Sequence, residues 1–342
     1  GVTAAGLRRR GGSGVRVLVT GSSGFIGSRV VRRLAAEGDA VVCFDAAPGR
    51  AAPAGGEGSP VTVRGDVGAV EELIEAILAH GVEAIVHLAY LLGPEVERRP
   101  HASMRVNVLG TSNVLEAARL AKVRRVVWAS SIAVYGPQSA YGDRAVTEED
   151  EPHPYWVYGG QKLFNEFMAR KYRELFGLEV VAVRGATVYG HGRETGWGAW
   201  HSQVVSLPAV GLPVRVPLHP EQRWPFVYVD DVAELFVRVL KAATPRHPLY
   251  LTGGETRTMA EVARIVREFI PGAEIEFDPG AAFLPNLHRV DGSRAEAEFG
   301  FRRRSLREGI RAQIEEARRH RRGGAPREEA NLEAQQGFRP GP

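Results

Sequence analysis

A chain of 342 residues is long enough for about two domains of ordinary size and for a large buried core. With 44% hydrophobic and 25% charged residues it has the composition of a folded globular protein, and no apolar run approaches the ~18 residues of a membrane span. The net charge of +4 sits at the ends: residues 1–14 carry three Arg and no acid, and residues 320–342 carry four Arg against three Glu. The body between is neutral, which argues against a nucleic-acid groove. One cysteine, Cys43, excludes an intrachain disulfide and a cysteine-based zinc cluster, and it suits a reducing, cytoplasmic setting. His87, His191 and His201 lack metal-ligand spacing, so no metal site is expected.

In chain order, residues 1–14 read as a flexible N-terminus with no apolar signal segment. Val15–Thr20 reads as a buried strand, and Phe25–Glu37 as a helix with Val30, Val31 and Leu34 at helical spacing. Strands follow at Ala40–Asp45, Val61–Arg64, Ala84–Leu88, Arg125–Ser130 and Glu179–Arg184. Helices are predicted at Val70–His80, Ser103–Ala121 and Gly160–Phe176, and Ala46–Ser59 is a loop. This alternation predicts an α/β fold, a Rossmann-type doubly wound parallel sheet over residues 15–190. Beyond Gly190 five prolines from Pro208 to Pro225 read as breaks in a smaller α/β substrate-binding lobe, 191–320, with possible crossovers back to the sheet. Its regular pieces are helices at Val232–Lys241, Met259–Phe269 and Leu306–Arg318 and strands near Leu249–Thr252 and Glu274–Phe277. Residues 321–342 read as a disordered tail.

The run Gly21-Ser-Ser23-Gly24-Phe25-Ile26-Gly27 lies between a strand and a helix, where glycines allow a tight turn and close backbone approach to a pyrophosphate. Asp45 ends the next strand, near the spacing of a ribose-binding acid, and its charge would repel a 2′-phosphate; the expected cofactor is NAD. Asp66, with Val67 after it, could meet the adenine edge or simply form a turn. Tyr158 and Lys162 are one helical turn apart and share a face, and an ammonium there would favour the phenolate. Ser130 and Ser131 end a strand that can face the same pocket.

These motifs resemble the extended short-chain dehydrogenase/reductase family, also called the NAD-dependent epimerase/dehydratase family. The similarity runs from about Val15 to Arg318 through Gly21-x-x-Gly24-x-x-Gly27, Asp45, Asp66-Val67, His87-Leu88-Ala89, Asn107, Ser130-Ser131, Tyr135-Gly136, Tyr158-x-x-x-Lys162, Arg184, Val188-Tyr189-Gly190 and Phe226-Val-Tyr228-Val-Asp230-Asp231. The resemblance implies bound NAD and hydride transfer at a secondary alcohol carbon. By position, Ser131 would polarise the substrate oxygen, Tyr158 would be the acid/base, and Lys162 would lower the tyrosine pKa and hold the nicotinamide ribose. Leu88, Ala89 and Tyr90 would line the cofactor, with Ser130 beside it. Asn107 would support the site from its helix. The family also suggests a homodimer through the helices of Ser103–Ala121 and Gly160–Phe176.

Nucleotide-sugar members usually carry an Asn where this chain has Thr187, whereas Arg223 stands where such enzymes often put an arginine. Leu91, Trp197 and Trp200 complete the residues expected around a small-molecule substrate, although the tryptophans could equally pack the core. The expected activity is an NAD-dependent alcohol oxidation or ketone reduction. A nucleotide-sugar epimerase or dehydratase with retained NAD is the alternative, and a catalytically silent NAD-binding protein is the alternative of another class.

Overall fold

The β-branched runs of the first half line up as the interior of one sheet. In the computed structural model, which describes residues 14–48, 59–193, 196 and 198–322, the elements run β1 (Arg16–Thr20), α1 (Gly27–Ala36), β2 (Ala40–Asp45), β3 (Val61–Arg64), α2 (Val70–His80), β4 (Ala84–His87), α3 (Pro94–Arg98), α4 (Pro100–Met104), α5 (Gly110–Leu120), β5 (Arg125–Ser131), α6 (Val157–Phe176) and β6 (Glu179–Gly185). The second half adds β7 (Thr187–Tyr189), α7 (Ala199–Ala209), β8 (Val214–Val216), β9 (Arg223–Tyr228), α8 (Val229–Lys241), β10 (Leu249–Leu251), β11 (Glu255–Thr258), α9 (Met259–Phe269), β12 (Ile275–Phe277), α10 (Ser293–Phe299) and α11 (Leu306–Arg322).

Seven strands form a wholly parallel sheet in the order β3-β2-β1-β4-β5-β6-β10. Its inner strands are buried on both faces, as parallel sheets require, while the edge strand β3 is largely exposed. Val17, Val19, Val86 and Val127 belong to one hydrophobic layer, and Leu18, Ile85 and Val126 to the other. The order reverses between β1 and β4, the place where a doubly wound fold opens its ligand crevice. A second sheet, β7-β9-β11, and the parallel pair β8-β12 carry the rest. Strand β10 returns from the second half to lie beside β6.

Two expectations change. Ser103–Ala121 is not one α-helix: residues Arg105–Leu109 between α4 and α5 form a π-helical turn with Asn107 inside it, a distortion that recurs at functional sites. Pro208 does not break its segment but sits in the last turn of α7, where few backbone bonds remain for its ring to disturb. Trp197, residues 1–13 and 49–58, and residues 323–342 of the expected tail lie outside the described residues, while Arg321 and Arg322 belong to α11.

One buried cation ties the sheet to its covering helix. Arg125, on β5, is fully buried, and its Nη1 donates to the carbonyls of Val239, Leu240 and Ala242 at 3.2, 2.6 and 2.6 Å, at the C-terminal end of α8. Its Nη2 donates to the Ala243 carbonyl at 3.2 Å and to Glu179 at 2.9 Å. The guanidinium satisfies carbonyls that a helix end leaves without partners. Arg125→Ala is expected to cost about 3 kcal/mol, read as a lowered midpoint in chemical denaturation. The exposed neighbour Arg124→Ala should stay within about 0.5 kcal/mol, and equal effects would show that the buried cap contributes nothing.

Candidate active site

The turn after β1 packs closely. Gly21 has φ +66°, and a Cβ there would overlap the Leu88 and Ala89 backbone. A Cβ on Gly27 would strike the Gly21 carbonyl, so α1 approaches the strand closely only because both positions lack side chains. Gly24, by contrast, faces outward, and the Gly24 and Ile26 carbonyls accept the first helical bonds from Ser28 and Val30. Asp45 reaches this turn from β2: its Oδ2 accepts from the Ser23 backbone at 3.0 Å and its Oδ1 from Ala47 at 3.0 Å. A glycine turn at a helix N-terminus with a strand-end carboxylate beside it fits the diphosphate and ribose of a dinucleotide.

Three other expected cofactor positions are braced by the protein itself. Asp66 accepts from Gly68 at 2.7 Å and pairs with Arg105 at 2.6 Å; burial opposes its charge, but these partners leave its pKa below the ordinary value. Val67 is buried beneath Gly110, and its carbonyl accepts from Asn113. Asn107 spends its amide on the chain, accepting from Leu91 N at 2.8 Å and donating to Leu91 O at 3.1 Å and Gln161 at 2.8 Å. It thereby pins the loop after β4 to α6. Leu91 itself is exposed, and Leu88 and Ala89 hang from Thr20 Oγ1 by their backbone N–H groups.

The reactive constellation lies at the carboxyl end of β5. Ser131 Oγ accepts from Ala133 N at 3.1 Å, which caps a short 3-10 turn, and it lies near enough to the Tyr158 phenol to favour the phenolate. A glycine at 159 lets α6 come down on the Ala133 carbonyl, fixing Tyr158 against that turn. Lys162, one turn on, has no exposed surface; its Nζ donates to the Ala129 carbonyl at 2.5 Å and lies 5.4 Å from the Tyr158 ring centroid. Burial holds the Lys162 amine well below its usual pKa, opposed by the charge of Glu166. Burial likewise pushes Tyr158 up, while Arg193 and Ser131 pull the other way. Tyr90 stacks on His87 at 4.7 Å and presents its ring face to Lys162 Nζ.

Beneath this end, one expected residue turns inward and several unexpected ones join it. Ser130 Oγ donates to Glu166 at 2.5 Å, so its proton is committed to the protein. Glu166 also holds Arg184 through two bonds at 2.8 and 2.6 Å, and Arg184 donates to the Tyr135 hydroxyl. This bidentate buried pair locks α6 to β6 directly under the reactive end. Its signal was present, since Glu166 follows Lys162 by four residues on the same helical face. Glu97 accepts from the backbone N–H groups of Val157 and Tyr158 at 3.1 and 3.2 Å, capping α6 from α3, a long-range contact that has no spacing signature.

Of the remaining substrate-side expectations, Thr187 opens β7 opposite Phe226, Trp200 is half-buried against the core, and Arg223 is exposed at the start of β9. Arg193, outside the expected set, lies against the Phe25 ring and acts electrostatically on Tyr158. Among the described residues no cluster of His, Cys, Asp and Glu could hold a metal ion, and no helix is long and apolar enough to cross a membrane.

Residues 17–250 match the NAD dependent epimerase/dehydratase family. A UDP-glucose 4-epimerase of Mycolicibacterium smegmatis is 34% identical over 318 residues, 88% of this chain and 98% of its own. A Thermus thermophilus UDP-glucose 4-epimerase, solved in complex with NAD, superposes with a TM-score of 0.78 at 31% identity over 89% of this chain and 99% of that one. MoeE5, solved with UDP-glucuronic acid and NAD, gives 0.73 at 31% identity over the same shares.

Proposed function

The chain belongs to the NAD-dependent epimerase/dehydratase family, and from that membership we propose that it oxidises a secondary alcohol, or reduces the corresponding ketone, with Tyr158 as the acid/base. The observation that carries the reading is the convergence of Ser131, Tyr158 and Lys162 at the carboxyl end of β5 and the start of α6, in a fold whose glycine turn fits the dinucleotide. Bound NAD supplies the hydride acceptor or donor. The protein's part is the proton: Tyr158 takes it from the substrate hydroxyl during oxidation, or returns it during reduction, while Ser131 orients that oxygen. Lys162, beside the tyrosine ring, favours the phenolate when it carries its proton, a charge that burial opposes and Glu166 supports.

Asp45 serves the adenosine ribose and the glycine turn the pyrophosphate, with backbone from Leu88 to Tyr90 along the cofactor. Net redox is our first reading of the overall reaction because Thr187 stands where nucleotide-sugar enzymes use an amide. Epimerisation with retained NAD is the second, favoured by the two UDP-glucose 4-epimerases that match over nearly their whole lengths. The two readings share Tyr158 and differ in whether the cofactor leaves.

A homodimer is also proposed. Met104, Leu109, Phe164 and Phe167 are each nearly half exposed on neighbouring helical segments, an apolar face suited to a second copy.

Tyr158→Phe should keep NAD affinity and lose about 10²–10⁴ in turnover on whichever substrate a screen of secondary alcohols and UDP-sugars identifies; undiminished turnover would remove the tyrosine from the mechanism. NAD released on denaturing the desalted protein should be far below one per chain for the net redox reaction, whereas a value near one selects the epimerase reading. Light scattering should report a dimer that Phe164→Glu shifts toward monomer, and a monomeric wild-type protein would sink the interface.

A further inference from the structure

Arg193 follows β7 and approaches the reactive end of the site from the second half of the chain. Its Nη1 donates to the Val188 carbonyl at 2.7 Å, and its guanidinium carbon lies 5.7 Å from the Phe25 ring centroid. A Cβ at Gly198 would overlap the guanidinium, so the missing side chain makes the seat it occupies. Around it the protein supplies no counter-charge among the described residues. Tyr158, which its charge reaches, is pushed toward its neutral form by burial, and His201 has its pKa pushed down to about 3 by burial and by Arg193 itself. Behind His201 stand the rings of Trp224 at 4.4 Å and Phe226 at 5.7 Å, an aromatic wall with no acid.

A cation largely shielded from water, with no anionic partner among the described residues, is costly, and burial lowers the Arg193 pKa to about 10. A planar guanidinium with one nitrogen anchored still offers N–H groups in fork geometry, which suits a carboxylate better than a lone carbonyl or hydroxyl. Two other arginines near the site are already paired, Arg184 with Glu166, and Arg29 with Asp230 and Glu316, and Arg223 stands exposed at the start of β9. We propose that Arg193 receives a carboxylate carried by the substrate, close to the hydroxyl-bearing carbon presented to Tyr158. The proposal rests on the hydride-transfer reading of the same site and narrows its substrate to acids. That carboxylate can belong to a free hydroxy acid or to the uronate of a nucleotide sugar.

The test uses NAD-saturated protein and calorimetric titration with two matched pairs, 3-hydroxybutyrate against 3-hydroxybutyramide and UDP-glucuronic acid against UDP-glucose. In at least one pair the acid should bind about tenfold or more tightly than its neutral partner, and the pair that shows it identifies the source. Arg193→Gln should abolish that preference while leaving the neutral partner and NAD binding as they were; Arg193→Lys, which keeps the charge without the fork, should retain part of it. Equal binding within both pairs, or no acid bound at about 10 mM, a concentration that a Kd in the millimolar range would fill, overturns the proposal in the wild-type protein alone. So does a loss of NAD affinity in Arg193→Gln, which would make the cofactor pyrophosphate the anion. Failure of the wild-type protein to bind NAD, or full turnover by Tyr158→Phe, strikes the hydride-transfer reading instead.

Discussion

A lysine amine with no exposed surface has to be held without the water that normally stabilises its charge, and the reactive end of this fold is organised around that constraint. Lys162 gives one hydrogen bond to the Ala129 carbonyl and is otherwise enclosed by aromatic faces, those of Tyr90, Trp128 and Tyr158. Glu166, one turn along the helix, favours the charge but is itself saturated by Arg184 and Ser130. The amine is therefore desolvated more than it is paired. On the proposed reading its charge favours a phenolate at Tyr158, whose ring centroid is 5.4 Å away, because attraction is larger at low dielectric than in water.

That arrangement works only if α6 stays in register with β5, and the chain spends its polar groups on this end. Glu97 caps the helix at Tyr158, Gly159 admits the Ala133 carbonyl, and Gln161 joins Asn107 and Ser103. Asn165 then donates to the Asn107 carbonyl, which the π-helical turn turns away from the ordinary helical pattern. The Glu166–Arg184 pair closes the series against β6. Each contact crosses between elements, so the positions of Ser131, Tyr158 and Lys162 depend on four separate segments and not on α6 alone.

This also explains which features were legible in the sequence. The parallel strands follow from runs such as Val17-Leu18-Val19, because burial on both faces leaves no polar alternation to confuse the reading. The glycine turn and the Tyr158/Lys162 spacing are local and declare themselves. The bonds that Ser130 and Asp66 make within the protein were not legible, because their partners, Glu166 and Arg105, are 36 and 39 residues away. The helix of Ala199–Ala209 was hidden by reading Pro208 as a break, when it stands at the helix end. The short strands β7, β8 and β11 offered three or four residues each, too few for periodicity to speak.

The second half of the chain joins the site through cations. Arg29 of α1 reaches Asp230 at the start of α8, Glu316 of α11 and the His191 carbonyl, so it fixes the chain just before Arg193 to the helix that follows the glycine turn. The glycine turn and the residue proposed to select the substrate are thus tied together through Arg29. Arg193 acts on Tyr158 from the second half of the chain, and Lys162 lies 5.4 Å from its ring; among the described residues the first is anchored by the Val188 carbonyl and the second by that of Ala129. On the proposed reading these two cations divide the labour: the enclosed one serves the proton transfer, and the one from the second half selects what carries the proton.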